Sequence, residues 1–207
     1  MTIVIIALAL ALSLCGCTGA DTSAAEQLSA AEASERLQDA DEIVLEKAGL
    51  SAGDRWDIYA DDALVATIGG EVLYLTDTYT MRSTDGELML SEEELLTLTT
   101  AKARKFDAEG NVIGHYDQDF TLVLGRVRSL DENDATVAEI QENLAFNYGR
   151  GWSADVLDAD GDIAWKASRD QISVAGAKIH LTREAAADKV DATDVAMLVA
   201  VFSELSD

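Results

Sequence analysis

The sequence predicts a mainly β protein: ten or more short antiparallel strands that must close or stack, with a buried hydrophobic helix at the carboxyl end. Three observations predict it. From Arg55 onward, short alternating or β-branched runs are separated by Asp/Gly turns. Two stretches repeat, "KFDAEGNVIGHYDQDF" (Lys105 to Phe120) and "VLDADGDIAWKASRDQI" (Val156 to Ile172). They place Gly110 and Gly161 51 residues apart, and a period near 50 calls for a repeat architecture. The third observation is an unbroken apolar run from Val195 to Phe202, too short to span a membrane.

The amino-terminal segment comes first. Ile3 to Leu14 reads IVIIALALALSL, the length of a signal-peptide core, although no Lys or Arg precedes it. Leu14, Cys15, Gly16 and Cys17 follow. This stretch resembles the lipobox of bacterial lipoproteins, with Leu three positions before the modified cysteine and Gly directly before it. The resemblance implies cleavage after residue 16 and a diacylglyceryl group, with palmitate-type chains, on Cys17. Cys15 leaves with the leader, so no disulfide is available. Two or three acyl chains hold a protein stably on a membrane at about 0.8 kcal/mol per buried methylene.

Thr18 to Ala40 is rich in Ala, Ser, Glu and Asp, and its few large apolar residues predict an acidic tether with transient helix from Ala24 to Leu37. A short helix is expected across Asp41 to Leu50, on the apolar patch of Ile43, Val44 and Leu45. These segments divide the chain into a leader (1–16), a tether (17–50) and one β domain (51–207).

Each β unit starts with a strand (Trp56 to Ala60, Ala101 to Phe106, Trp152 to Leu157) and a tight turn where glycine tolerates positive φ. A returning strand follows (Leu64 to Ile68, Val112 to Tyr116, Ile163 to Ala167). A longer third strand is expected over Val72 to Arg82, Phe120 to Arg128 and Ile172 to Leu181. Fourth strands are expected at Glu87 to Leu90 and Thr136 to Ile140. "IYADDALVATIGGEV" (Ile58 to Val72) reads as a weaker first copy of the repeat without its glycine. So many strands in one small domain must hide their edges. In "DATDVAMLVAVFSELSD" the helix is apolar around its circumference, with Asp191 as cap, and a strand is the competing assignment.

Three hairpin units with "FDAEGNVIG" and "LDADGDIAW" turns, then an apolar helix after "KVDATDV", resemble the LURP-one-related proteins of the tubby carboxyl-terminal-like superfamily, and phospholipid scramblases are similar. The resemblance covers about Arg55 to Asp207. It implies a closed antiparallel barrel of about twelve strands around a buried helix, here Asp194 to Leu205. Tubby domains bind phosphoinositides through a basic groove. This chain has few basic residues, so no binding residue carries over.

Charge excludes several functions. With 39 acidic against 15 basic residues, net −24, the chain lacks the cationic surface that nucleic acid or anionic head groups require. Such a charge favours a soluble monomer. Asp158, Asp160 and Asp162 invite a calcium loop, but a loop with Gly161 sixth has Val156 first and Ala167 twelfth, neither a ligand. A dockerin-like reading of "KVDATDVAMLVAVF" fails at Arg183, Ala185 and Ala187. His115 and His180 form no metal-spaced set, and no G-x-S-x-G elbow is present. Carboxylate pairs such as Glu92 and Glu94 are too common here to indicate acid–base catalysis. Trp56, Trp152 and Trp165 read as core or barrel-end residues rather than a sugar platform.

One basic island stands out. Lys102 and Arg104 alternate with alanines, and Arg126 and Arg128 flank Val127, so each pair shares one strand face. On neighbouring strands the four would form a patch for an anionic partner; the plainer account is an outer face balancing nearby acids. The sequence therefore predicts no catalytic residue, no metal and no cofactor. It predicts a lipid-anchored, extracytoplasmic, non-catalytic barrel that binds a protein or lipid partner at the cell envelope. A phospholipid-handling module is the alternative, and a hydrolase is disfavoured.

Overall fold

In a computed structural model, which describes residues 26–48, 55–73, 76–96, 101–120, 125–142, 151–169 and 176–205, every strand runs antiparallel to the one before it. The strands are β1 (Glu42–Ala48), β2 (Arg55–Ala60), β3 (Ala63–Leu73), β4 (Thr76–Ser83), β5 (Leu88–Leu96) and β6 (Ala101–Phe106). They continue as β7 (Val112–Phe120), β8 (Gly125–Asp131), β9 (Thr136–Glu142), β10 (Trp152–Asp158), β11 (Ile163–Arg169) and β12 (Gly176–Arg183). The meander closes because β1 pairs with β2 on one side and with β12 on the other, with Ile43 opposite Leu181 and Leu45 opposite Ile179.

Alternation sets the two faces. In β2, Trp56, Ile58 and Ala60 point inward, and in β10 Trp152, Ala154, Val156 and Asp158 do. Asp155, Lys166, Lys178, Lys102, Arg104 and Arg126 lie exposed on the outside. This is the reverse of a membrane-spanning barrel, whose outer band is apolar. Among the described residues no helix is long and apolar enough to cross a membrane.

Eight strands enclose only their own side chains, whereas more strands leave a wider lumen. Here helix α2 (Ala192–Leu205) fills it. Val195, Ala196, Met197, Leu198, Val199, Ala200 and Val201 are all buried, among wall residues such as Ile43, Ile58, Ile68, Met81, Ile140 and Trp165. Each large apolar side chain so buried contributes about 1.5–3 kcal/mol. The buried helix of the sequence prediction is therefore present, and the strand assignment for it fails. All three tryptophans are interior.

The structure corrects the amino-terminal expectations. Residues 42–48 form strand β1, not a helix, and without β1 the sheet has two open edges. Ile43 and Leu45 face inward while Val44 does not, a period of two hidden inside an unbroken Ile-Val-Leu run. The folded unit also starts well before residue 51. Helix α1 (Ala30–Asp39) begins in a capping box of Ser29 and Glu32 and buries Ala33 and Leu37, while Leu28 and Ala40 are buried at its ends. Few apolar residues suffice because all lie on the side that meets the barrel. Cys17, the leader and residues 18–25 lie outside the described residues.

The expected third strands also divide. Val72 to Arg82 covers the end of β3 and most of β4, and Phe120 to Arg128 covers the end of β7 and the start of β8. The repeat is shorter than 51 residues. Ser83–Glu87, Asp107–Asn111, Asp131–Ala135 and Asp158–Asp162 are closed by the same backbone pair, the first N–H to the fifth carbonyl and the fourth N–H to the first. The fourth residue has positive φ in each: Gly86, Gly110, Asp134 and Gly161. One turn thus recurs in four hairpins, β4–β5, β6–β7, β8–β9 and β10–β11. The supposed first copy is built differently, as a two-residue turn with positive φ at both Asp61 and Asp62.

Candidate binding cleft at the barrel mouth

These five turns all lie at one end of the barrel, where α2 begins and α1 lies across. Asp191 caps α2, its Oδ1 accepting from the Thr193 amide at 2.8 Å. Gln38 of α1 accepts from the Ala192 amide at 3.0 Å and donates to the carbonyls of Ala187 and Val190, each at 3.2 Å. The Leu28 amide donates to Thr84 Oγ1 at 2.9 Å, and the Ala30 amide to Glu87 Oε2 at 3.0 Å. Arg183 donates to the carbonyls of Gln38 and Ala40. Helix α1 is thereby fixed to both α2 and the turns.

Below α1, four polar side chains meet inside the wall. Asp194, in the first turn of α2, receives Lys105 Nζ from β6 at 3.2 and 3.1 Å. It also receives Tyr116 OH from β7 and Ser129 Oγ from β8, each at 2.5 Å. Lys105 donates to Ser129 as well, at 2.7 Å, and its ammonium sits 5.2 Å from the Tyr116 ring centre. Burial, then the charges of Asp194 and Glu92, push the Tyr116 phenol well above its ordinary value, so it stays a donor. A Ser–Lys pair at this distance resembles a nucleophile and its base. The chemistry is wrong for that role. Lys105 is paired to a carboxylate and acts as a donor, and Ser129 is fully buried, out of a substrate's reach. The cluster instead ties α2 to three strands.

A cleft of about 470 Å³ opens above this cluster, with Lys105 and Asp194 at its floor. Leu88, Met89, Leu90, Ile113 and Val137 form apolar walls, and Ala30 and Ser34 of α1 form one side. Asp107, Asp131 and Asp191 line it too, together with Lys189. Asp107 Oδ1 accepts the amides of Glu109 and Asn111 at 3.1 and 2.8 Å, and Asp131 Oδ1 those of Asn133 and Ala135, both at 2.8 Å. The Asn111 side chain and amide hold Asp107 below the usual carboxylate range, and the Ala135 and Asn133 amides do the same for Asp131. Both are therefore ionised at neutral pH. Ile113, which lines the cleft, is 39% exposed; Val112 beside it and Ile163 on β11 are exposed too but do not line it.

The remaining candidates fall elsewhere. Asp158, Asp160 and Asp162 do converge, but on Lys189, whose Nζ lies 2.9, 3.0 and 2.9 Å from them. An ammonium occupies the place a cation would take, and the three carboxylates raise the Lys189 pKa. Of the basic island, Lys102 and Arg104 are on β6 and Arg126 and Arg128 on β8, so the two strands are not neighbours; β7 runs between. From β7, Asp117 pairs with Arg128 at 2.9 Å and lies 3.9 Å from Lys102, while Arg126 pairs with Glu139 at 3.0 Å. Arg104 lies 5.6 Å from the Phe106 ring. His115 and His180 sit on separate strands, near Asp134 and Glu42.

Sequence reasoning missed Lys105, Tyr116, Ser129 and Asp194. A signal existed for Lys105: in "AKARKF" it shares the inward phase with Ala103. No family model, no curated protein and no solved structure matches this chain.

Proposed function

We propose that the chain is a lipoprotein of the cell envelope, anchored through Cys17, whose barrel binds a partner protein at the mouth framed by α1 and the start of α2 and carries out no catalysis. One observation carries this reading: α2 occupies the lumen, and among the described residues the space for a ligand lies at the mouth. The lipobox-like Leu14-Cys15-Gly16-Cys17 supports the address. From Cys17 to Glu26 the backbone spans at most about 30 Å. An anchored chain therefore presents its α1 end close to the bilayer rather than on a long tether.

A phospholipid-handling role is the second reading. It is supported by the likeness to LURP-one-related and scramblase proteins, for which a twelve-stranded barrel around a terminal helix is the expected form. The filled lumen and the net charge of −24 weigh against it.

Metabolic labelling with a fatty-acid alkyne tests the address. The wild type incorporates label and sediments with membranes, and Cys17→Ala loses both. Unlabelled, freely secreted wild-type protein would refute the anchor. Crosslinking in the native envelope tests the binding role: one protein attached to cleft residues supports it, and fluorescent phospholipid transfer by the purified chain supports the second reading instead.

A further inference from the structure

The cleft is apolar in its walls, yet the charges around it are unbalanced. Of its two lysines, Lys105 is locked onto Asp194 and Lys189 is held among Asp158, Asp160 and Asp162. Neither has charge to spare for a ligand. Asp107, Asp131 and Asp191 remain as rim carboxylates, the first two held ionised by the amides of their own turns. The same turns carry Glu109, Glu132 and Asp134, all exposed. Two of these turns flank the apolar wall: Ile113 follows the Asp107–Asn111 turn, and Val137 follows the Asp131–Ala135 turn. An apolar trough between fixed negative charges favours a ligand that is apolar along one side and cationic along its edges.

From this charge complementarity we infer that the cleft is a docking site for a cationic amphipathic helix of a partner protein. Apolar side chains of that helix seat against Met89 and Ile113, and its Lys or Arg residues face Asp107, Asp131 and Asp191. An anionic head group meets repulsion there, and a neutral lipid tail leaves the negative charge of the carboxylates uncompensated. The cleft volume falls within the range of ligand sites, about 300–1,000 Å³. The inference rests on the reading of the barrel as a binding module but not on the anchor.

The test uses residues 17–207 with Cys17→Ser, which retain every described residue, and a fluorescent amphipathic Leu/Lys peptide as probe. Anisotropy should show saturable one-to-one binding that weakens about tenfold or more as salt rises from about 0.05 to 0.5 M. The Leu/Glu counterpart should not bind. Ile113→Asn and Met89→Asn should each weaken binding about tenfold, while Ile163→Asn, an equally exposed apolar residue at the same end but outside the cleft, leaves it unchanged. A photo-leucine version of the probe should crosslink at Met89 or Ile113, a readout that needs no variant. Binding insensitive to the cleft substitutions, equal binding of the Leu/Glu peptide, or photo-leucine crosslinks that avoid both Met89 and Ile113 would overturn the inference. Loss of membrane location in the labelling experiment would leave this result standing, so the two failures are distinct.

Discussion

Lys105 and Asp194 bring opposite charges into the barrel wall 3.1 Å apart, with Ser129 and Tyr116 satisfying the remaining carboxylate lone pairs. Removing one member of such a buried pair leaves the other uncompensated. Lys105→Met should therefore cost about 3–5 kcal/mol in urea unfolding, and Lys105→Met with Asp194→Asn distinctly less than the sum of the single changes. Strict additivity would show that the pair is not coupled. Gly114 makes a second residue-level case. Its φ is +148°, and a Cβ there would lie 2.0 Å from the Leu130 carbonyl oxygen across the β7–β8 ladder. Gly114→Ala should cost about 2 kcal/mol or more, measured by the unfolding midpoint. Neither feature was open to the sequence. Lys105, Tyr116, Ser129 and Asp194 come from four different elements, and only the closed barrel brings them together. Gly114 gives no local turn signal. The basic island was legible as two strand faces, but Asp117, which lies between them and pairs with Arg128, depends on strand order the sequence does not state.

At the scale of elements, most strand positions were legible because each carries its own period of two, and α2 because its apolar run is unbroken and follows the cap residue Asp191. Strand β1 was not, since Ile43-Val44-Leu45 has no alternation of its own and takes its register from β2 and β12. The hairpin repeat was half legible: Gly110 and Gly161 mark two copies and Gly86 a third in a different surrounding sequence, while Asp134 stands where a fourth glycine would be and so conceals its turn. A left-handed position costs a non-glycine residue about 1 kcal/mol. Gly110→Ala, with open space around its Cβ, should therefore destabilise by about that amount, and Asp134→Gly should stabilise by a similar or smaller one. Thermal unfolding of the two variants checks this. Shifts of the same sign would mean that the turns are not equivalent. Helix α2 is less forgiving. Val199→Asp puts an unpaired carboxylate at a fully buried site and should abolish folding, visible as loss of near-ultraviolet circular dichroism from the three interior tryptophans.

For the whole molecule, the acidic turns set the pH response. The Ser83 hydroxyl holds Asp85 low, the Asn111 side chain Asp107, the Ala135 amide Asp131 and Lys189 Asp158. A carboxylate whose folded value lies below its unfolded one stabilises above the ordinary carboxylate pKa, about 3.9, and loses that contribution as pH falls through the folded value. At the other extreme, Lys189 and Tyr116 are raised, so the folded state keeps protons that the unfolded chain releases. Stability should thus hold from about pH 5 to 9, fall below about pH 4, and fall again above about pH 10, read as the urea midpoint across pH. A midpoint that rises on acidification below pH 4 would mean that repulsion within a chain of net charge −24 outweighs the turn contacts.

The account depends on α2 being enclosed, because a filled lumen is what moves binding to the mouth. Native-state amide exchange across Val195 to Val201 tests this most directly. The prediction is protection equal to that of Ile43 and Leu45 in the closing strand, with all of these amides opening only on global unfolding. Exchange of the helix at a much lower free energy, while the barrel strands stay protected, would contradict it.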